Sequence, residues 1–374
     1  MPRAEKIRIA LIYGGVSGEH SISCATAGAV MAALDPERYE VISIGIRPDG
    51  TWVPGETDPE KLRLSEEQVV VAPSSDRIVI PAGDGSQDLL RITQRDGEAS
   101  VQSLGPVDVA FPLLHGPFGE DGTIQGLLEL ANIPYVGCGV LASAAGMDKH
   151  FMKVLLEAEG ILTAPSVVVT KREWESDPDG VRAALADLAF PLYVKPARAG
   201  SSLGISKLES LDGLALAMET AHKHDPKVLI EQGITGREVE CGVLGGRGGA
   251  PARASMPGEV ILEVPSDEFY DFDHKYIHTE VLTNQVPAEI SAEATEAIRA
   301  TAIRAFDACG CEGLTRVDCF LTESGEVLVN EINTMPGFTP FSMFPVLWED
   351  AGMSYSELVD ELVELALERG TGLH

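Results

Sequence analysis

The stretch EVLVNEINTMPGF, residues 326–338, runs as a strand for seven or eight residues and then breaks at Pro336-Gly337. Side chains alternate with a period of two along a strand, so Glu331 and Asn333 share one face just before the break. Upstream, LTRVDCFLTESG supplies a partner strand with Arg316 and Asp318 on one face and a turn-rich cluster at Thr322-Glu323-Ser324-Gly325. A register with Asp318 opposite Glu331, which needs a four-residue loop, brings all four side chains together. A slip of one residue separates them.

Two carboxylates and an amide oxygen this close repel unless a metal ion or a proton sits between them. Hard oxygen donors suit magnesium, which keeps several waters and takes its remaining ligands from substrate phosphates. An exposed polar hairpin face in an acid-rich chain is the competing explanation, and the hairpin alone does not separate the two.

The lysines bear on that choice, because the chain has only ten of them. FPLYVKPARAGSSLGISKL places Lys195 at the end of an apolar strand, followed by a loop whose Gly200, Ser201, Ser202 and Gly204 offer backbone N–H groups and hydroxyls with little bulk. No Gly-Lys dipeptide occurs anywhere, which excludes a P-loop nucleotide fold on motif grounds. VLIEQGITGREVE adds a strand ending at Glu231, with Glu238 beyond a turn. Such a strand can meet an adenine through its backbone while carboxylates accept from an exocyclic amine or from ribose hydroxyls.

Bulk properties agree with small-molecule work. The chain has 374 residues, 44% of them hydrophobic, enough for two or three packed cores. Its formal charge of −30 disfavours nucleic acid and acidic membranes, which need a basic footprint. No apolar run reaches the roughly 18 residues of a membrane span. MPRAEKIRIALIYGG starts a strand with no signal-peptide core, so a cytoplasmic location is expected. The six cysteines form no CxxC pair, and Cys309-Gly310-Cys311 is no recognised metal framework, so ordinary buried or free thiols are expected.

IRIALIYGG, SISCATAGAVMAAL and YEVISIGI form a β-α-β unit and predict a parallel sheet. Residues 47 to about 104 are rich in Pro, Gly, Asp and Ser and read as an inserted or peripheral segment. Regular structure resumes with the strand VDVAFPLLHG and the helix beginning GTIQGLLEL. MDKHFMKVLLEAEGI predicts an amphipathic helix that opens a new region near residue 143. Further helices are expected around 180–189, over 291–309 and over 354–369, and the hairpin over 314–333. Three lobes result, 1–142, 143–235 and 236–374.

Taken in order, GGVSGEHSIS, LLHGPFGEDGTIQGLLE, GMDKHF, VKPARAGSSLG, IEQGITGRE, YDFDHKY, RVD and NEINTMPGF resemble the motifs of the D-alanine–D-alanine ligases, within the ATP-grasp superfamily. The resemblance runs from residue 7 to about 369. It implies an α/β chain of the α+β ATP-grasp kind, an N-terminal parallel-sheet domain followed by two ATP-grasp lobes. It implies an ADP-forming ligase joining two D-alanines for peptidoglycan precursors, working in the cytoplasm as a homodimer.

By the same resemblance Lys149, Lys195, Ser202 and Lys275 hold ATP phosphates, Glu231 and Glu238 the adenine and ribose, and Asp318, Glu331 and Asn333 two Mg2+ ions, with Mn2+ as a substitute. Arg316 stabilises the oxyanion, partnered by the Gly337 backbone N–H. Glu19 takes the first alanine's ammonium, His115 lies beside that alanine, and Ser342 with the Met343 backbone takes the second alanine's carboxylate. Lys275 and Tyr276 sit in a closing loop, where Tyr276 links to Ser201 and Glu19. Ala199, Pro340 and Phe341 depart from the usual pattern near the second-substrate pocket and leave acceptor choice open between D-alanine, D-lactate and D-serine. Tyr276 argues against the D-lactate type. A catalytically silent nucleotide-binding relative would have lost some of these groups, and none is missing.

Overall fold

A computed structural model describes residues 6–63, 69–83, 85–95, 97–200, 203–262 and 282–372. Strand β1 (Ile7–Gly14) is followed by helix α1 (His20–Ala33) and strand β2 (Tyr39–Ile46), which pairs parallel to β1. The run Ile9–Tyr13 is buried at every position, as a parallel strand covered on both faces must be. The expected peripheral segment splits in two. Strand β3 (Trp52–Pro54) extends the first sheet as an antiparallel edge, whereas β4 (Asp76–Val79), β5 (Asp88–Arg95) and β6 (Glu98–Pro106) form a separate meander. The chain then returns as β7 (Val109–Pro112), parallel to β1 on its other side.

Helices α2 (Thr123–Leu130), α3 (Val140–Met147) and α4 (Lys149–Ala158) lead into a second sheet. Asp148 starts α4 by accepting the backbone N–H groups of His150 and Phe151, an N-cap that places Lys149 in the first turn. The second sheet is antiparallel, made of β8 (Ser166–Thr170), β9 (Leu192–Pro196), β10 (Ser206–Leu208) and β11 (Lys227–Gln232) in the order β10-β9-β11-β8. Its covering helices are α5 (Lys171–Ser176), α6 (Pro178–Ala184) and α7 (Leu214–Ala221). The helix expected around 180–189 is α6, which starts earlier, at Pro178, and ends at Ala184, with α5 as a further short helix before it. Thr170 and Glu173 form a capping box for α5, and Asp177 caps α6, which starts on Pro178.

The third sheet orders its strands β13-β12-β16-β17, from β12 (Gly236–Leu244), β13 (Arg253–Ala254), β16 (Leu314–Thr322) and β17 (Val327–Asn333). Strands β14 (Glu259–Leu262) and β15 (Leu282–Gln285) pair beside it, and α8 (Ala292–Ala308) packs on its apolar face. Helices α9 (Met343–Asp350) and α10 (Tyr355–Arg369) close the chain. They share a core with the first sheet: Leu358, Leu362 and Leu365 lie in one cluster with Cys24, Ala27 and Val30 of α1. All six cysteines are buried and free. Among the described residues no helix is long and apolar enough to cross a membrane.

The hairpin reaches the expected register by a different route. Asp318 faces Glu331 and Arg316 faces Asn333, but nearer the turn Cys319 faces Val329 and Leu321 faces Val327. The turn is one residue tighter than expected, since the Thr322 N–H donates to the Glu326 carbonyl. A β-bulge at Asn330 restores the pairing. Val329 and Ile332, three apart, consequently both face the core, and Glu331 and Asn333 both face away from it. Without the bulge, plain alternation from Val329 would turn Glu331 toward that core. Deleting Asn330 instead removes the extra residue and leaves Val329 and Ile332 inward with Glu331 still outward, so the variant should stay folded at a cost of about 1 kcal/mol. Urea denaturation of the deletion variant checks this.

Candidate active site

Strand β16 carries Arg316 and Asp318 two residues apart on one face, and they form a fork: Arg316 Nε and Nη2 donate to the two Asp318 oxygens at 2.7 and 2.7 Å. Asn333 donates from Nδ2 to Asp318 Oδ2 at 3.0 Å. Glu240, opposite Asp318 on β12, brings Oε2 to 3.0 Å from Arg316 Nε. Burial works against the Arg316 charge, but Asp318, Glu240 and Glu331 outweigh it and hold its pKa well above the usual value. The guanidinium is therefore permanently charged and rigidly aimed.

Lys149 joins this face to the second sheet. Its Nζ lies 3.4 Å from Glu331 Oε2 and donates to the Ala199 carbonyl at 3.2 Å, at the start of the glycine-serine loop. Lys149, expected to hold phosphate, thus touches Glu331 of the hairpin expected to hold metal. Asp148 anchors the lysine's helix further through ion pairs to Lys227 and Arg198.

Behind the loop, Lys195 does not stand alone. Glu231 is buried, and each of its oxygens is ion-paired, one to Lys195 and one to Lys153. Desolvation would raise its pKa, but Lys195 and Lys153 outweigh this and hold it below the usual range. Both carboxylate oxygens, expected to face adenine, are directed at lysines. Lys153, which also donates to the Ala164 carbonyl, escaped the sequence reading. Its one available signal was its place four residues after Lys149 on one helix face. Glu238 lies exposed on β12, opposite Phe320.

The first sheet adds Glu19, His115 and Glu120. Glu19 precedes α1, and a Cβ on Gly116 would sit 3.7 Å from Glu19 Oε2, which puts that carboxylate beside the turn following His115. His115 is buried, with Nδ1 3.3 Å from the Met335 carbonyl and Nε2 without a hydrogen-bond partner. Burial lowers its pKa against the pull of Glu19 and of the Met335 carbonyl, so the ring is neutral, and with Nδ1 donating to that carbonyl Nε2 is left as the acceptor. Glu120 also escaped the sequence reading, although HGPFGEDG contains it. It accepts the Gly116 N–H at 2.7 Å, and desolvation, with Glu19 and Glu331 adding to it, pushes its pKa up to about 8.

The Pro336-Gly337 break ends on Phe338, fully buried against Phe111 of β7 and Phe344 of α9. Ser342 stands at the N-cap position of α9 but its side chain makes no capping bond; its Oγ instead lies 2.8 Å from Thr339 Oγ1. A Cβ on Gly337 would come within 3.2 Å of Ser342 Oγ, so the two positions adjoin. Met343 is buried behind them. Ser201, Ser202, Lys275 and Tyr276 lie outside the described residues. A cavity of about 390 Å³ between Tyr135, Phe306, Cys311 and Arg369 is lined by none of these groups.

Two carboxylates and one amide suit a hard divalent ion that takes its other ligands from water and phosphate. Among the described residues no group of three or more His, Cys, Asp or Glu side chains is gathered as a self-sufficient metal cage.

An antiparallel hairpin with such a donor set, facing a lysine-bearing antiparallel sheet beneath a parallel α/β unit, defines a ligase of the ATP-grasp class. Comparison with known proteins narrows it. Residues 8–138 match the family model for the D-ala D-ala ligase N-terminus and residues 155–364 that for the D-ala D-ala ligase C-terminus. The D-alanine--D-alanine ligase of Paenarthrobacter aurescens is 52% identical over 372 residues, covering 100% of this chain and 98% of the relative. That of Streptomyces coelicolor is 48% identical over 376 residues, covering 98% and 94%. The D-alanine-D-alanine ligase from Coxiella burnetii superposes with a TM-score of 0.79 at 34% identity, covering 98% of this chain and 95% of that one. The VanG D-Ala:D-Ser ligase from Enterococcus faecalis gives 0.81 at 35% identity, covering 97% and 100%. The chain belongs to the D-alanine–D-alanine ligase family.

Two pH and charge effects follow. Glu231 is held below its unfolded pKa, so its pairing stabilises above that value and is lost as pH falls through the folded one. Lys153→Met should cost about 3 kcal/mol at neutral pH and progressively less in acid, read from urea midpoints across pH. Glu120 has the opposite sign: raised from 4.5 to about 8, it stabilises below the lower value, and that contribution disappears as pH rises through the upper one. Glu120→Gln, neutral throughout, should show a flatter thermal-midpoint profile than the wild type between those limits.

Proposed function

We propose that the protein joins two D-alanine molecules into D-alanyl-D-alanine at the expense of ATP, releasing ADP and phosphate for peptidoglycan precursor synthesis. The observation that supports this reading is the 3.4 Å Lys149–Glu331 contact, in which the lysine assigned to phosphate meets the carboxylate assigned to metal. A free carboxylate is a poor acyl donor. The first D-alanine carboxylate therefore takes the γ-phosphoryl group of ATP to become an acylphosphate, and the amine of the second D-alanine attacks that carbonyl and expels phosphate.

Lys149 and Lys195 serve the ATP phosphates, Lys195 being held in place by Glu231, which also borders the nucleotide. Glu238 lies on the strand that follows and takes the ribose. Asp318, Glu331 and Asn333 would hold two magnesium ions, with Asn333 using Oδ1 because Nδ2 is committed to Asp318. A divalent ion there neutralises charge on the transferring phosphate. Glu19 binds the ammonium of the first D-alanine, while the neutral His115 offers Nε2 beside it. Ser342, at a helix N-terminus, receives the carboxylate of the second D-alanine together with the Met343 N–H.

As the amine attacks, charge develops on the carbonyl oxygen, and Arg316 with the Gly337 N–H faces it. The fork to Asp318 orients the guanidinium in advance, so no reorganisation is needed during the reaction. Arg316→Ala should lower kcat by about 10²–10³-fold, the loss seen for one oxyanion donor. Phosphate release that depends on D-alanine is the direct test of the assignment, and ATP binding without such turnover would defeat it. The VanG likeness makes D-serine the acceptor to compare with D-alanine and D-lactate. Preferential use of either alternative at neutral pH would reassign the second site.

A further inference from the structure

An imidazole joins the turn that carries Glu19 to residues 69–71. His20 is buried, with Nδ1 2.6 Å from the Gly15 carbonyl oxygen, and its Nε2 accepts the Val71 backbone N–H at 3.1 Å. A neutral imidazole has one donor and one acceptor nitrogen. Because Nε2 accepts from Val71, the proton sits on Nδ1 and is donated to Gly15. The ring is therefore a two-ended connection between the β1–α1 turn and residues 69–71, part of the segment that the sequence marks as peripheral.

Shape fixes Val71 as firmly as the hydrogen bond does. A Cβ on Gly45 would approach Val71 Cγ1 to 2.6 Å, and one on Gly14, whose φ is +92°, would approach Cγ2 to 2.9 Å. The two glycines leave the slot that the valine fills. Other bonds brace the same turn: Gly14 N–H donates to Ser23 Oγ at 2.8 Å, and Gly15 N–H to the Ile46 carbonyl at 2.8 Å. Ser23 in turn donates to the Leu113 carbonyl, two residues before His115. The turn's Gly15 carbonyl, on the side of Glu19, depends on His20.

We propose that residues 69–71 and His20 form a clip that sets the position of the Glu19 turn, making His20 a positioning residue for the first D-alanine. This rests on the assignment of Glu19 to that substrate's ammonium. A carboxylate that must meet an ammonium at hydrogen-bond distance loses binding when its turn is free to shift, because orientation is part of the interaction. The lysines assigned to ATP sit on α4 and β9, so nucleotide binding is outside the clip's reach.

The test is steady-state kinetics on the full chain with ATP and D-alanine as the varied substrates. His20→Phe keeps an aromatic ring and removes both hydrogen bonds, and should raise the first-site KM for D-alanine about tenfold while the KM for ATP stays within about twofold. His20→Gln, whose amide oxygen can still accept the Val71 N–H, should recover most of the loss. Val71→Ala empties the slot and should reproduce the same split at about threefold. If His20→Phe does not fold, Val71→Ala decides by that split. An unchanged D-alanine KM, a parallel rise in the ATP KM, or a defect that His20→Gln leaves in full overturns the clip. A wild-type protein inert toward D-alanine overturns the functional assignment and the clip together, whereas an active wild type with unsplit variants overturns the clip alone.

Discussion

One ion pair ties the lobes of this molecule into a single site. Lys149 belongs to the helix entering the second sheet, and Glu331 to the outer strand of the third, yet they meet at 3.4 Å. Each partner has a separate reason to be where it is. Asp148 caps α4 and fixes the turn from which Lys149 projects, and the bulge at Asn330 rotates Glu331 off the core face. The contact is only partly buried, so its own contribution to stability is modest. Its importance is geometric: it sets an ammonium group against the face that carries Asp318, Glu331 and Asn333.

The same principle, charges held by neighbours rather than left to solvent, recurs around the cleft. Three carboxylates hold Arg316, two lysines hold Glu231, and Lys227 with Arg198 holds Asp148. A formal charge of −30 leaves few cations to distribute, and Lys149, Lys153, Lys195 and Lys227 all gather in this region. The concentration matters for chemistry with a polyanion. An acidic surface lowers the local potential, and buried lysines paired to carboxylates keep a pre-oriented positive lining despite it.

Much of this was legible from residues alone, and the hairpin shows why. Alternation along LTRVDCFLT and VLVNEIN assigned Arg316, Asp318, Glu331 and Asn333 to one face, and the structure pairs them in the expected register. The expected four-residue loop was not found, because pairing rules count residues and a bulge changes the count without changing the outcome. Val329 and Ile332 carried the trace of it, two apolar residues three apart in a strand that otherwise alternates. Lys153 and Glu120 were less visible. Each is an unremarked charged residue until burial shifts its partner or its proton, and burial is a property of what packs above it.

What the sequence determined by itself was local: strand and helix periods, the glycine turns, the order of the motifs, and through that order the family. These depend on residues near one another along the chain, where sterics and alternation act directly. Tertiary structure alone decided that Glu231 points at two lysines, that His115 keeps a bare Nε2, and that Val71 lies in a slot between Gly14 and Gly45. Those facts join residues from 26 positions apart, Gly45 and Val71, to 220 apart, His115 and Met335. Their energies come from desolvation and close packing, which exist only once the lobes have met.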